Sequence, residues 1–390
     1  MAKLYKRRFT SESVLDKALE RINTCFDRFD KVVVSFSGGK DSTVCLNLAL
    51  MVARERGRLP LDVYTFDEEA IHPPTVEYLA RVAASPEVRF RWYCIPVKHR
   101  NACSRRVPYW YPWNPHERHL WVRQPPPGAI MRLPGFKKGM TMPDCVPLVF
   151  GPEHGTVADI RGIRAQESIR RLQIVTNKLH DNWIAGARNG HNHAVSPIYD
   201  WTTEDVWMAT REFGWDYNRT YDVFDKAGTS PHNQRVCPPY GEEPLGGLHQ
   251  YAECWPELWH KMIARVPGAA TAARYARTEL YGFGGIEQPP GKTWRTWFND
   301  LLVLWPEKQA TIIRKNAASM LDSHARKTGG RDVPEEHSDP ISGLSWKFLC
   351  MVALRGDLKN RKKGALTDRA MKEMARRGIT LEQAKAEVER

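Results

Sequence analysis

A glycine-centred segment near the start of the chain has the residue types that bind phosphate groups. An apolar run at 32–36 leads into Ser37-Gly38-Gly39-Lys40-Asp41-Ser42, and residues with helical spacing follow to about residue 56. Paired glycines let the backbone approach an anion and turn its N–H groups toward it, and a helix N-terminus adds about half a positive charge. The side chain of Lys40 adds a full charge, and the two serines add hydroxyl donors. The segment therefore predicts a phosphate-binding turn between a strand and a helix; the alternative is a Gly-Gly turn with a purely structural role.

This turn is not a Walker loop, which requires the spacing G-x-x-x-x-G-K-[ST]. The nearest match to that spacing runs from Gly285 to Thr293 and has five residues between its glycines. Those residues include Pro289 and Pro290, which have no N–H to donate. The sequence therefore excludes a Walker-type nucleotide site.

The elements that position the turn alternate between helix and strand. Thr202 and Asp205 have the spacing of a capping box, which predicts the start of one of the later helices. Such alternation predicts an α/β fold with a doubly wound, mostly parallel sheet. The other predicted helices lie at 11–29, 42–56, 75–84 and from about 166, and the predicted strands at 31–36, 61–66, 88–97, 157–160 and 194–199.

Two departures from this alternation divide the chain. Residues 98–150 are rich in Pro, Trp, Tyr and Arg and have no regular period, which predicts an insertion or lid. Beyond residue 245 the pattern becomes mainly helical and stays basic. We therefore predict an α/β domain at 1–245 that contains the insertion, followed by a basic helical domain at 246–390.

The composition indicates a globular protein with an anionic partner. Lys and Arg number 58 against 45 Asp and Glu, which gives a net charge of +13 over 390 residues. An apolar fraction of 42% excludes a disordered chain, and the sequence lacks the ~18 consecutive apolar residues of a membrane-spanning helix. The first residues resemble no signal peptide, and the eight cysteines include no CxxC pair. These features predict a cytoplasmic protein with reduced thiols and no membrane contact.

Several segments resemble one known family. Ser35-Phe36-Ser37-Gly38-Gly39-Lys40-Asp41-Ser42 resembles the PP-loop of the ATP pyrophosphatases, in the branch of the phosphoadenosine-phosphosulfate (PAPS) reductases. Residues 161–168 are similar to the G-x-R-x-x-E-S signature of that branch, and 196–207 to its P-I-x-x-W-x-x-x-D-V-W stretch. The runs at 235–241 and 264–269 resemble the phage and prophage proteins similar to immunoglobulin-binding regulator A.

The resemblance implies an adenine nucleotide α-hydrolase-like sheet that cleaves ATP between its α and β phosphates. The products would be pyrophosphate and AMP, or pyrophosphate and an adenylylated second substrate that the sequence does not identify. Catalytic roles fall on Lys40, Asp41 and Arg164, and Mg²⁺ would accompany ATP with Asp67 as its ligand. The residues implied in nucleotide binding are Ser35, Phe36, Ser37, Gly38, Gly39, Lys40, Asp41, Ser42, Phe66, Asp67, Glu68, Gly162, Arg164 and Glu167.

Two of these groups have structural alternatives. The acidic run Asp67-Glu68-Glu69 ends a predicted strand, where it could bind a metal ion or ribose, or could simply be a solvated strand end. Arg164 could clamp phosphate through two N–H groups, or could form an exposed helical pair with Glu167.

Two other functions remain open from the sequence. The first is a nucleotide-binding regulator that acts with DNA or a partner protein. The second is sulfonucleotide reduction, which the resemblance ties to a cysteine near the C-terminus. The last cysteine, Cys350, lies in an apolar run and is expected in a core, which makes the reductase the weaker alternative.

Two sets of residues could bind other ligands. His232, Cys237, His249 and Cys254 could hold a metal ion, although individually buried or loop positions explain this set better. Cys237 could also be a reactive thiol. The basic segments 98–138 and 355–377 are candidate nucleic-acid surfaces, the first because its cations alternate with aromatic residues. The alternatives are a lid whose tryptophans pack on the sheet and a solvated basic helix.

Overall fold

The computed structural model forms two compact units. It describes residues 10–167, 171–172, 183–187, 189–231, 234–236, 239–241, 245–275, 286–360 and 362–389. The sheet unit comprises 10–101 and 109–267, and the helical unit comprises 102–108 with the chain from 268 onward. Residues 246–267, which the sequence analysis assigned to the helical domain, thus belong to the sheet unit. The predicted division of the chain at residue 245 into two independently folding domains stays a prediction.

The sheet unit is built on five parallel strands in the order β3-β2-β1-β6-β7. In this order β1 is the central strand, with β2 on one side and β6 on the other. Val34 of β1 is aligned with Val63 of β2 and with Ile160 of β6. A separate pair, β4 and β5, is antiparallel. The strands are β1 (Lys31–Ser35), β2 (Leu61–Phe66), β3 (Val88–Tyr93), β4 (His99–Arg100), β5 (Tyr109–Trp110), β6 (Val157–Ile160) and β7 (Asn192–Val195).

Helices cover both faces of this sheet, as a doubly wound fold requires. Val32 and Val34 face a core with α1, α2, α3 and α5, and Val33 faces a second core with α4. The β-branched residues of β1 are therefore buried on both sides, which is typical of a central parallel strand. The helices of this unit are α1 (Val14–Arg28), α2 (Lys40–Glu55), α3 (Pro73–Ala83), α4 (Met142–Val149), α5 (Thr203–Glu212), α6 (Thr220–Lys226), α7 (His249–Cys254) and α8 (Pro256–Arg265).

The helical unit has its own apolar core. Phe298, Leu302, Ile313 and Leu349 lie within it. Cys350 is also fully buried there, which confirms its expected place in a core. The helices are α9 (Ala269–Tyr275), α10 (Trp294–Val303), α11 (Glu307–Thr328), α12 (Trp346–Arg355), α13 (Leu366–Arg377) and α14 (Leu381–Glu389).

Most predicted elements are present, and the exceptions have local causes. The capping box of Thr202 and Asp205 at the start of α5 is confirmed. The strand predicted at 88–97 ends at Tyr93, before Pro96, and the one predicted at 194–199 ends at Val195, before Pro197. Proline lacks the N–H that a strand contributes to its ladder, which accounts for both early ends. Ala165–Glu167 forms a single 3-10 turn where a helix was predicted to begin, and most of the residues that follow lie outside the described part.

Within the described residues, every helix is too short or too polar to cross a membrane.

Candidate functional site

The predicted phosphate-binding turn joins the carboxyl end of β1 to α2. Gly38 has a φ of 72°, a conformation that side chains other than glycine's rarely adopt. Gly39 is the N-cap of α2 and has no side chain to satisfy the first N–H groups of the helix. The hydroxyl of Ser42 donates to the Gly39 carbonyl at 2.9 Å, and its oxygen lies 3.1 Å from that of Ser37. The strand, the turn and the helix therefore occur in the predicted order.

The N-terminus of α2 retains unused donors. In the part of the chain that the structure describes, the N–H groups of Asp41 and Ser42 have no hydrogen-bond acceptor. The N–H of Lys40 donates to the hydroxyl of Tyr221 at 2.9 Å. The Lys40 ammonium lies 3.6 Å from the Asp41 carboxylate and 5.5 Å from the centre of the Tyr221 ring. Positive charge and free N–H groups thus meet at one helix end, where an anion is stabilised.

Gly162 lets the end of β6 approach this helix end. A Cβ atom at residue 162 would lie 2.6 Å from the carbonyl carbon of Asp41 and 2.7 Å from the nitrogen of Ser42. Both neighbours are backbone atoms, which cannot move aside as a flexible side chain can. The glycine of the segment 161–164 is therefore required by close backbone contact.

Substitution of Gly162 by alanine is expected to lower the free energy of unfolding by about 1–3 kcal/mol, because it overpacks the contact with α2. The displaced turn should also bind pyrophosphate more weakly. Gly186→Ala is the matched control, since a Cβ there would meet nothing within 4 Å. Thermal unfolding and titration calorimetry would measure both effects, and equal behaviour of the two variants would contradict the prediction.

Arg164 is buried beside the turn and is 2% exposed. Its Nε donates to Asp41 at 2.5 Å, and its Nη1 donates to Gln166 at 3.0 Å and to the carbonyl of Trp201 at 3.5 Å. The alternative of an exposed pair with Glu167 is therefore wrong. The guanidinium of Arg164 is occupied by Asp41 in this structure. A direct contact between Arg164 and phosphate stays a prediction.

Glu167 lies next to this group and is tied to the backbone. Its carboxylate accepts from the N–H of Arg164 at 3.3 Å and from the guanidinium of Arg171. Burial raises the pKa of Glu167, and the negative charge of Asp41 raises it further. A role of Glu167 in nucleotide binding stays a prediction.

Asp67 is buried rather than solvated. Its carboxylate accepts from Arg123 at 2.5 Å and 2.6 Å, from the indole N–H of Trp92 at 2.7 Å and from the N–H of Glu69 at 2.7 Å. A magnesium ion bound to Asp67 would have to displace Arg123. The alternative of a solvated strand end is wrong for this residue, and the Mg²⁺ role of Asp67 stays an untested prediction.

Glu69 forms a second buried ion pair at the same place. It is completely buried and accepts from the Nε of Arg265 at 2.8 Å. It also accepts from the N–H groups of Trp113, at 2.7 Å, and Val122, at 3.2 Å. Since Trp113 and Val122 belong to the predicted insertion, Glu69 fastens that insertion to the end of β2.

Glu68 takes part in neither of these two ion pairs. Its carboxylate lies 3.8 Å from the Nδ1 atom of His99, and its side chain is 14% exposed. Burial raises the pKa of Glu68 well above its ordinary value, and the neighbouring charge of Asp67 adds to the effect. Glu68 is thus the member of the acidic run that combines partial exposure with a perturbed pKa, a combination often found in functional sites.

Three of the residues implied in nucleotide binding, Ser35, Phe36 and Phe66, differ in environment. Phe36 is 1% exposed, and its ring packs edge-on against Tyr78 with a centroid distance of 5.7 Å. Phe66 is half-buried, with its ring 5.3 Å from that of Tyr93. Ser35 ends β1 and is aligned with Tyr64 of β2. The buried ring of Phe36 leaves only backbone groups there for a base to contact.

Sequence reasoning missed a buried acid at the end of β6. Asp159 is 1% exposed and accepts from the hydroxyl of Tyr64 at 3.0 Å and from the Nε of Arg161 at 2.8 Å. Burial raises the pKa of Asp159, and the guanidinium of Arg161 opposes that change. A single acid within an apolar strand gives no signal that one of its partners, Tyr64, lies on β2, two strands away in the sheet.

Asn218, Tyr221 and Arg265 were also missed. Asn218 lies in the loop before α6 and Tyr221 in α6 itself, and both contact the turn from far along the chain, at sequence separations of 180 and 181 residues. Arg265 lies in the run 264–269 that was singled out by resemblance alone. The sequence gives no local signal for such distant contacts.

The described thiols are poorly suited to redox chemistry. Cys25, Cys45, Cys94, Cys103, Cys145 and Cys350 are buried, and Cys254 is half-buried. Burial raises the pKa of Cys350 to about 12, which disfavours the reactive thiolate at neutral pH. His232 and Cys237 lie outside the described residues, so the metal and thiol predictions for them stay open. Among the residues described, no group of three or more His, Cys, Asp or Glu side chains could hold a metal ion.

The basic segment 98–138 has fewer free aromatic rings than its sequence indicates. Trp110 is 4% exposed and Trp113 is 1% exposed, and the indole N–H of Trp113 donates to the carbonyl of Asp67 at 2.9 Å. Neither ring can stack on a base in this structure. Lys98 lies 3.9 Å from the centre of the Tyr109 ring. Nucleic-acid binding by this segment stays a prediction.

The basic segment 355–377 makes several bonds within its own unit. Lys363 donates to Ser319 at 2.7 Å, and Arg369 donates to Ser338 at 2.6 Å. Arg376 pairs with Glu373 at 2.7 Å. These partners reduce the charge available to phosphate, and nucleic-acid binding here also stays a prediction.

A comparison with protein families and curated proteins found two matches. A family model described as a domain of unknown function (DUF3440) matches residues 228–337. YbdN of Escherichia coli (strain K12), described as an uncharacterized protein, is 32% identical over 364 residues, which cover 88% of each chain.

Solved structures give weaker likenesses. The FMN adenylyltransferase of Candida glabrata is 13% identical with a TM-score of 0.34, and the match covers 55% of this chain and 62% of that one. The PAPS reductase of Candida auris, in its phosphate complex, is 13% identical with a TM-score of 0.30, over 55% of this chain and 93% of that one. The chain thus spans less than two thirds of the length of the adenylyltransferase.

Proposed function

We propose that this chain, which belongs to the family of the Escherichia coli protein YbdN, binds ATP and cleaves it between the α and β phosphates. The products are pyrophosphate and either AMP or an adenylylated second substrate. The site we propose lies in the sheet unit, at the carboxyl ends of β1, β2 and β6. Ligands of open parallel sheets bind at that edge.

The observation that carries the proposal is the turn from Ser37 to Ser42. Gly39, the N-cap of α2, has no side chain to cap the helix, and the N–H groups of Asp41 and Ser42 have no acceptor among the described residues. Lys40 brings an ammonium group to the same helix end. A polyanion such as pyrophosphate satisfies all of these donors at once.

The chemistry that follows is a displacement at the α-phosphorus of ATP. The nucleophilic atom of the acceptor forms a new bond to phosphorus, the bond from phosphorus to the bridging oxygen of the β-phosphate breaks, and the acceptor releases its proton. Charge grows on the departing pyrophosphate. The N–H groups of Asp41 and Ser42 and the Lys40 ammonium would stabilise that charge through donors that are already oriented. The hydroxyls of Ser37 and Ser42 would join them by exchanging their present bonds within the turn.

Magnesium would enter with the substrate, because in nucleotide sites it is bound by substrate phosphates, one or two carboxylates and several waters. The described carboxylates near the turn are largely engaged: Asp41 with Arg164 and Asp67 with Arg123. Glu68 is the remaining carboxylate at the end of β2, and its partial exposure suits one contact with an ion held by the phosphates.

The test is turnover and binding with the purified full chain. ATP, pyrophosphate, AMP and GTP would be titrated by calorimetry, and release of AMP and pyrophosphate from Mg²⁺-ATP would be followed with and without single- and double-stranded DNA. We expect ATP and pyrophosphate to bind, and AMP to accumulate in a one-to-one ratio with pyrophosphate. ADP and inorganic phosphate as products would overturn the proposed bond cleavage. ATP binding without turnover under every condition would instead favour the nucleotide-binding regulator.

A further inference from the structure

Asn218 holds the turn from a distant part of the sheet unit. It lies just before α6, is completely buried, and donates from Nδ2 to the carbonyl of Gly38 at 2.9 Å. The same amide nitrogen donates to the Thr75 hydroxyl at 2.9 Å, and the Asn218 carbonyl oxygen accepts from the N–H of Thr220 at 2.9 Å. Its side chain is therefore fixed on both sides.

The bond to the Gly38 carbonyl controls where the next N–H points. The carbonyl of Gly38 and the N–H of Gly39 belong to one planar trans peptide and point in opposite directions. While Asn218 holds the carbonyl, the Gly39 N–H faces the interior of the turn, where the Ser37 hydroxyl oxygen lies 3.4 Å away.

The two glycines cannot hold this peptide by themselves. Because glycine accepts both signs of φ, a rotation of the Gly38–Gly39 peptide meets little steric resistance. A rotated peptide would aim the Gly38 carbonyl, an acceptor, at the place where phosphate oxygens are proposed to bind. Such a turn would repel an anion.

A second contact, from the first turn of α6, fixes the adjoining part of the phosphate-binding turn. The Tyr221 hydroxyl accepts from the N–H of Lys40, and a Cβ on Gly39 would lie 3.5 Å from that hydroxyl. The chain from 218 to 221, at the start of α6, thus holds the turn at Gly38 and at Lys40, on both sides of Gly39.

We propose that Asn218 is a positioning residue that locks the Gly38–Gly39 peptide in its anion-binding orientation. The inference rests on the proposed function, since it assigns Asn218 to the pyrophosphate part of the ATP site. Asn218 acts only through the backbone of the turn and does not touch the ligand.

The test compares two buried asparagines. Asn218→Leu removes the bond to Gly38, and Asn192→Leu is the matched control, because Asn192 is 7% exposed and donates from Nδ2 to the Phe150 carbonyl at the same 2.9 Å. Asn192 begins β7, at the edge of the sheet opposite the turn. Calorimetric titration with inorganic pyrophosphate, well below the unfolding temperature, should show a loss of affinity of about tenfold or more for Asn218→Leu. The control should lose thermal stability but keep its affinity.

The outcomes separate this inference from the proposed function. Pyrophosphate binding by the unaltered chain with equal affinity in Asn218→Leu would overturn the role of Asn218 and leave the ATP site standing. Failure of the unaltered chain to bind pyrophosphate would overturn both. If Asn218→Leu does not fold, Thr75→Val replaces it, because it loosens Asn218 without emptying the site. A several-fold loss of affinity in that variant supports the role, and an unchanged affinity overturns it.

Discussion

Replacement of Lys40 by alanine is expected to reduce the rate of pyrophosphate release from ATP by at least about 100-fold. Removal of one oriented donor to a developing anion costs about 10²–10³ in rate in comparable sites, and Lys40 carries a full charge in addition. The ammonium is 8% exposed, so little water screens its interaction with a bound phosphate. Assays of AMP and pyrophosphate in samples quenched at fixed times, together with calorimetric titration of ATP, would measure the effect.

Lys31→Ala is the control for Lys40→Ala. Lys31 begins the same strand at its opposite end and pairs with Asp62 at 2.8 Å. Its removal takes the same charge from the chain but leaves the turn untouched. Turnover in Lys31→Ala should match the unaltered chain, while a Lys40→Ala variant that keeps full activity would refute the assignment of the turn as the phosphate site.

Substitution of Arg265 by methionine is expected to lower the free energy of unfolding of the sheet unit by about 3–5 kcal/mol. Loss of one partner of a buried ion pair leaves the other charge without compensation. Glu69, completely buried, would keep only its N–H donors, and Arg265 is itself 5% exposed. Thermal and denaturant unfolding of the full chain would show the transition of the sheet unit at a lower temperature and denaturant concentration.

An exposed pair provides the comparison for Arg265→Met. Arg54 and Glu87 form a pair at 2.7 Å with side-chain exposures of 56% and 34%. Such pairs contribute about 0–1 kcal/mol because water and ions screen them, so Arg54→Met should change stability little. Equal losses in the two variants would show that the Glu69–Arg265 pair is not the stabilising contact inferred from its burial.

The turn and the sheet were predictable because their signals are local. β-Branched residues at 32–34, the two glycines and the helical spacing after Lys40 lie within one short stretch. Each predicts its own backbone conformation without reference to the rest of the chain. The same holds for the capping box at Thr202 and Asp205, where both partners are three residues apart.

The roles of the acidic residues were not predictable in this way. Asp67, Glu68 and Glu69 are adjacent in sequence, yet Asp67 pairs with Arg123, Glu69 with Arg265, and Glu68 lies near His99. Their partners are contributed by the insertion and by α8. A run of three acidic residues reads the same in the sequence whether its carboxylates are exposed to solvent or buried in ion pairs.

The sequence by itself determined the class of the sheet, the order of strand, turn and helix, and the residue types that a phosphate would contact. The tertiary structure alone decided which donors remain free for that phosphate, because Arg164 is committed to Asp41 and the Gly38 carbonyl to Asn218. The physical reason is range: backbone preferences act within a few residues, whereas burial and ion pairing depend on side chains separated by as many as 196 residues, as Glu69 and Arg265 are.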